Sequence, residues 1–496
     1  MNKPATGTGD LSSVEDVFAR YEPVIGLEVH CQLRTESKLF CACSTRFGAA
    51  PNTQTCPVCL GMPGVLPVLN QKAVDDAVRM ALAVGARING VSVFARKQYF
   101  YPDLPKGYQI TQYDLPYSEG GLIRLASGKE IRLIRIHLEE DAGKNVHGGE
   151  ASFVDINRAG MPLMEIVSHP CLASAEEAAE YLKRLRSLVR HLGVSDGNLE
   201  EGSFRCDANV SIRPLRQQTL GTRCEIKNLN SFRNIERAIW YEIHRQAEIL
   251  DAGGSVAQQT LLFDPDSGTT QAMRSKADSH DYRYFPDPDL RPLVIDEERI
   301  ERLRRELPEL PEAMAQRFKE QLELPVQDAA LLTSDRDLAA YFEQTLARVG
   351  AAVTPKVVAN WITGELLREV NERQWSFASS PLTSSMLAEL LTLLGEGTIS
   401  GKIAKTVFQD MVETGERPQA IIEKRGLIQV SDEGAIRALV QKIVAANPAQ
   451  LEQYLAGKEK LMGFFVGQIM RESQGKMNPT LVNQILKDEL EAHRRG

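Results

Sequence analysis

Glu28 and His30 stand two residues apart in Val24-Ile-Gly-Leu-Glu-Val-His-Cys-Gln32, interleaved with the apolar residues Ile25, Leu27, Val29 and Cys31. Side chains two apart on a strand point the same way. A carboxylate and an imidazole would therefore share one face while the apolar set packs in a core. That pair suits metal ligation or proton transfer. The run Ser203 to Arg213 repeats the pattern, with Phe204, Cys206, Ala208, Val210 and Ile212 opposite Arg205, Asp207, Asn209, Ser211 and Arg213. A third run sets Arg223, Glu225 and Lys227 against Cys224 and Ile226. Cations, carboxylates and an amide on rigid strands can hold metal-bound phosphates and a carboxylate substrate, with Arg205 and Lys227 as clamps. For one strand alone, a sheet with a solvated face explains the same alternation. Three such strands read better as a shared floor. Glu165 belongs with them: Leu163, Met164, Ile166 and Val167 surround it, and an acid buried there needs a cation or metal partner. The expected partner is a divalent ion.

The cysteines read by spacing. Cys41-Ala-Cys43 and Cys56-Pro-Val-Cys59 are two close pairs joined by a short loop with turn-forming Pro51, Asn52 and Pro57. They can supply four thiolates to one tetrahedral zinc, closed to substrate and so structural. Reduced buried thiols are the alternative. Cys31, Cys171, Cys206 and Cys224 read as packing residues.

These groups need elements to position them. From about Glu22 to Asp296, strand patterns alternate with a few capped helices, as in an α+β domain. One helix starts at Asn70 and stops near Gly85; another starts at Ser174, where Glu177 completes a capping box; a third runs from Ser231 through Leu250. Beyond Pro292 the sequence is charged and helical, with Leu427 to Glu433 as the entry to a final bundle. The 496-residue length fits two or three domains. The balance of 58 basic and 66 acidic residues, net −8, excludes gripping nucleic acid by bulk charge. No basic start followed by an apolar core is seen and no apolar run nears a membrane span, so the cytoplasm is expected. There is no phosphate loop of the G-x-x-x-x-G-K-[ST] type; Gly401-Lys402 is followed by Ile403. Nor is there a Ser-Ser-Lys segment or Gly-flanked cysteine that would release ammonia from glutamine.

Several blocks resemble one family. They are Ile25-Gly-Leu-Glu-Val-His30, Leu138-Glu-Glu-Asp-Ala-Gly-Lys144, Asp155-Ile-Asn-Arg-Ala-Gly160, Glu201-Gly-Ser-Phe-Arg-Cys-Asp-Ala-Asn209, Lys227-Asn-Leu-Asn-Ser-Phe232 and His280-Asp-Tyr-Arg-Tyr-Phe-Pro286. Together they are similar to the B subunits of tRNA-dependent amidotransferases. A disordered tail is expected at 1–20, and the resemblance implies an antiparallel-sheet catalytic cradle, placed at 21–296, of the glutamine synthetase and guanidino kinase type. It further implies a helical connector at 297–405 and a YqeY-like helical tail at 406–496 that binds tRNA. There Lys458, Lys460, Arg471, Lys476, Arg494 and Arg495 would supply phosphate contacts. An amidase A subunit and a small C subunit are the implied partners, and misacylated tRNA(Gln) or tRNA(Asn) the implied substrate.

Amide formation from a carboxylate requires a good leaving group, which ATP provides by making an acyl phosphate. Magnesium would neutralise phosphate charge. Glu28, His30, Glu140, Glu165 and Glu225 are the expected magnesium ligands, and with Asp207 the acid/base groups. Arg205, Asn209 and Lys227 are expected on ATP or the substrate. Alternation through Ile134, Ile136 and Leu138 puts Glu140 on the apolar face and Glu139 with Arg135 and His137. The resemblance favours Glu140 as ligand, which requires a bulge or strand end before Asp141; regular pleating would give the role to Glu139. Tyr99 to Tyr108 reads first as a rigid surface loop and second as a base-stacking surface, while Arg283 in His280 to Phe285 fits a phosphate contact and packing between Tyr282 and Tyr284 equally. Two other classes fit parts of the pattern: a hydrolase activating water at Glu28 and His30, and a non-catalytic tRNA scaffold.

Overall fold

The computed structural model describes residues 16–148, 151–273, 282–377, 380–427, 433–473 and 477–495. Residues 1–15, His280 and Asp281, 428–432, Lys476 and the Arg495 side chain lie outside the described set. The chain divides into two units, Met1–Pro311 and Glu312–Gly496.

The first unit is built on one large sheet. Its strands are β1 Tyr21–Gln32, β2 Ala95–Gln98, β3 Tyr108–Thr111, β4 Glu130–Glu140, β5 Pro162–Ser168, β6 Phe204–Pro214, β7 Cys224–Leu229, β8 Thr260–Asp264, β9 Thr269–Ala272 and β10 Phe285–Pro286. They lie in the order β9-β8-β7-β6-β1-β5-β4-β3-β2-β10, with three short strands off this path. The long strands β1 and β6 are paired neighbours, so residues far apart in sequence meet in the middle of the sheet. The expectation of an antiparallel sheet needs one correction. β7 and β8 run parallel, because the helix between them carries the chain back across the apolar face before it re-enters the sheet.

That face is covered by helices α1 Gln71–Ala83, α2 Ala175–His191 and α3 Phe232–Asp251. Ile25, Leu27, Val29 and Cys31 of β1 are at most 1% exposed in the same core as Val78, Leu182 and Ile239. The starts are set locally. Asn70 accepts from the amides of Lys72 and Ala73, and Ser174 and Ser231 accept from Glu177 and Asn234, each such cap stabilising by about 1 kcal/mol. The Glu177 carboxylate reaches back to the amide of Ala173, one residue before the cap.

Two boundaries differ from the sequence reading. Residues 16–20 are ordered against the core: Val17 is 5% exposed and the Phe18 ring meets Trp240 edge-on at 5.4 Å. Helix α4, Glu297–Glu306, belongs to the first unit rather than to a connector beginning at 297. Ile300 and Leu303 enter that core, while Arg299 and Glu306 pair with Asp75 and Arg79 of α1.

The second unit is helical throughout its described residues. One apolar cluster runs from Met314 to Ile422 and another from Ile436 to Leu490. Its inner division therefore falls after 422 rather than at 405, because Val407, Phe408 and Met411 pack into the earlier cluster. Gly401–Thr414 is a helix capped by Ser400, so Gly401-Lys402 is an ordinary helix start.

Candidate active site

Strand register assembles the polar face. On β1, Glu28 lies opposite Asp207 of β6, and His30 lies between Arg205 of β6 and Glu165 of β5. Glu165 in turn faces His137 of β4, and Asn209 faces Glu225 of β7. Glu28, His30, Glu165, Arg205, Asp207, Asn209, Glu225 and Lys227 thus share one face, as the period-two pattern implies.

Three side chains form the tightest group. One ligand atom each from His30, Glu139 and Glu165 lies within 4.8 Å of the others. The Nε2 of His30 is 3.5 Å from Glu139 and 3.7 Å from Glu165, and His137 closes the far side at 3.1 Å from Glu165. Two carboxylates and an imidazole with an open solvent side fit a divalent ion that keeps several waters. Burial works to raise the Glu165 carboxyl, but His137, His30 and Lys97 outweigh it and hold the group well below its usual range. The opposite balance acts on His137: burial lowers it, while Glu165 and Glu139 raise it to about 9.

A second group lies across β1. Asn209 donates to Glu28 at 3.0 Å. Burial raises the Glu28 pKa, and the like charges of Glu165, Glu225 and Asp207 raise it further. Lys227 sits 2.9 Å from both Asp207 and Glu225. Burial opposes its charge, yet the two carboxylates push its pKa above the usual lysine value. Thr260 donates to the other oxygen of Glu225 at 3.0 Å. At the start of β6, Arg205 pairs with Asp141 at 2.7 Å, while its buried Nε–H has no acceptor among the described residues. Asp141 also accepts from Gln32 at 2.8 Å. Burial would raise its carboxyl, but Arg205 and Arg158 hold it down.

Glu140 is the correction. β4 has an irregularity between Leu133 and Arg135 but keeps regular pleating from Arg135 through Glu140, so Glu139 takes the polar face and Glu140 the opposite one. There Glu140 pairs with Lys106, accepts from the amide of Ile110, and lines a cavity of about 200 Å³ shared with Cys41 and Cys59. Glu225 is drawn off by Lys227 and Thr260, and Glu28 by Asn209, so neither joins the three-residue cluster. The sequence singles out Arg158 and Asp141 only inside a block and gives His137 no role. Its alternation nonetheless places His137 and Glu139 on the polar face. The aromatic residues pack on one another: Tyr99 stacks on Tyr101, and Tyr284 lies parallel to Tyr113 with centroids 3.9 Å apart. Lys97 lies over the Tyr282 ring at 4.7 Å.

The cysteine segment folds as two turns. Ser37 bridges Ser44, and the Cys56 amide donates to Cys59 Sγ at 3.2 Å. The sulfurs of Cys41, Cys43, Cys56 and Cys59 all lie within 4.8 Å of one another. Zinc at about 2.3 Å from each thiolate requires sulfur separations near 3.8 Å, and Cys56 and Cys59 already stand at 3.9 Å. The donor set fits the ion.

Residues 23–301 match the GatB/GatE catalytic domain, and 340–490 match the GatB domain. Curated relatives agree over almost the whole length. The B subunit of the aspartyl/glutamyl-tRNA(Asn/Gln) amidotransferase of Geotalea uraniireducens is 57% identical over 95% of this chain and 99% of that protein. The protein of the same name from Prosthecochloris aestuarii is 54% identical over 96% and 99%. The chain belongs to the family of aspartyl/glutamyl-tRNA(Asn/Gln) amidotransferase B subunits. The family's catalytic-domain match spans every polar-face residue above and all four clustered cysteines. Among the described residues no helix is long and apolar enough to cross a membrane.

Proposed function

We propose that this chain performs the ATP-dependent step converting Glu-tRNA(Gln), Asp-tRNA(Asn) or both to the amidated forms, in the cytoplasm. It would act as a carbon–nitrogen ligase with an amidase A subunit and a small C subunit. The observation that carries this is the convergence of Glu28, His30, Glu139, Glu165, Arg205, Asp207 and Lys227 on one face of one sheet.

His30, Glu139 and Glu165 would hold magnesium, which when bound supplies neutralisation of phosphate charge. The Arg205 guanidinium, 34% exposed beside Asp141, would offer its accessible edge to a substrate carboxylate or phosphate oxygen. Lys227, braced by two carboxylates, offers its charge to the γ-phosphate at a fixed position, and Asn209 orients Glu28. The tRNA-borne carboxylate oxygen attacks the γ-phosphorus; the bond to ADP breaks and an acyl phosphate forms. Ammonia from the A subunit then attacks the acyl carbon and phosphate leaves. Glu28, whose carboxylate is made more basic by burial and by the neighbouring like charges, accepts the proton released at nitrogen. Zinc at Cys41, Cys43, Cys56 and Cys59 would be structural. Lys458, Lys460, Arg471 and Arg494 are exposed on the helical unit and would contact tRNA phosphates.

The test is amidation of both charged tRNAs by the assembled subunits with ATP and glutamine. Glu165→Gln and Lys227→Met should retain tRNA binding and lose amidation by about 10²-fold or more. Unchanged amidation in these variants would favour a scaffold role. Metal-dependent hydrolysis without ATP by the isolated chain would favour a hydrolase.

A further inference from the structure

The cysteine cluster carries a charge problem that its own ligands do not solve. Zinc with four thiolates has net charge −2; Cys41, Cys43 and Cys56 are half-buried and Cys59 is only 5% exposed. An uncompensated charge there is costly. Beside it is a second group in the converse position. Lys38 is 1% exposed, and among the described residues its Nζ makes one hydrogen bond, a long one of 3.4 Å to the carbonyl of Ile156. Lys106 is already engaged by Glu140.

The backbone brings Lys38 to the cysteines. Its amide donates to the carbonyl of Cys43 at 3.0 Å, and the next amide, of Leu39, donates to the carbonyl of Gly160 at 2.9 Å. Gly160 has φ +83°, and a Cβ there would lie 3.5 Å from Cδ of Lys38 and 3.7 Å from Cβ of Cys59. The lysine stem, Cys59 and a carboxylate oxygen of Glu140, the last at 3.8 Å, therefore converge on Gly160.

We propose that Lys38 is a positioning residue for the four-cysteine metal centre, its ammonium offsetting part of the thiolate charge from inside the fold. This rests on the zinc reading above. Such an outer partner typically changes metal affinity by about 10–100-fold.

The experiment uses the full-length chain, loaded with zinc and titrated against a chromophoric chelator. Lys38→Met should release zinc at least about 10-fold more readily than wild type. Lys38→Arg, which keeps the charge, should stay within about 3-fold, the context scatter of such effects. In cobalt-loaded protein, removing the charge should move the sulfur-to-cobalt absorption to longer wavelength, and the arginine variant should restore it. Should Lys38→Met fail to fold, Lys38→Gln carries the same comparison. Wild-type affinity without the charge, or an arginine variant that releases zinc as readily as the neutral one, overturns the proposal. A wild-type chain that takes up no zinc overturns the zinc reading and this inference with it, and that result is seen before any substitution is made.

Discussion

Replacing Glu139 and Glu140 separately by glutamine should have two unlike consequences, although the residues are adjacent. Glu139 supplies one of two carboxylates in the cluster with His30 and Glu165. Glu139→Gln keeps the volume and removes that charge, so the magnesium concentration for half-maximal amidation should rise by at least about 10-fold. Glu140 instead faces Lys106, with side chains only 4% and 11% exposed. Glu140→Gln leaves a buried ammonium without its counter-charge, at a cost of about 3–5 kcal/mol. That corresponds to a fall in melting temperature of about 6–20 °C, with the magnesium requirement of the remaining activity unchanged. The assay is a magnesium titration of amidation by the assembled subunits, alongside calorimetry of each purified variant. A magnesium requirement shifted by Glu140→Gln and not by Glu139→Gln would refute the assignment drawn from the pleat.

Lys227 holds Glu225 below its usual range against the effect of burial. A depressed carboxylate stabilises the fold above its unfolded pKa and loses that contribution as pH falls through the folded value. Lys227→Met should therefore flatten the acid-side decline of stability, read by denaturant melts from pH 6 to about pH 3. Arg205→Ala strips Asp141 of its 2.7 Å partner; thermal melts should show the loss of a buried charge, about 3 kcal/mol. Zinc chelation, or Cys56→Ser, should loosen the segment from Cys41 to Cys59, seen as faster proteolysis there. Asn70→Ala should cost about 1 kcal/mol for the lost α1 cap, and more for the bonds its amide donates to Ser37 and the Lys38 carbonyl, and leave amidation intact.

The central strands were legible because both faces left a signal: Ile25, Leu27 and Val29 for the core, Glu28 and His30 for the opposite side. Helix starts were legible for a similar reason, since Asn70, Ser174 and Ser231 do local hydrogen-bonding work. The choice between Glu139 and Glu140 was not. One residue of slip reverses the face, and whether β4 stays pleated depends on its pairing with Pro162 and Leu163 in β5. His137 acquires its role only because that pairing puts it opposite Glu165. Asp141 and Arg205 are 64 residues apart, and no local pattern announces their contact. The parallel pairing of β7 with β8 and the docking of α4 on α1 likewise depend on tertiary packing.

The most direct test follows oxygen. Glu-tRNA(Gln) carrying ¹⁸O in its side-chain carboxylate is amidated by the assembled subunits with ATP and glutamine, and the inorganic phosphate released is analysed by mass spectrometry. An acyl phosphate formed on this sheet transfers one ¹⁸O into that phosphate at each turnover, and Glu165→Gln should abolish the transfer. Phosphate free of label while amidation proceeds would contradict activation of the carboxylate by phosphorylation.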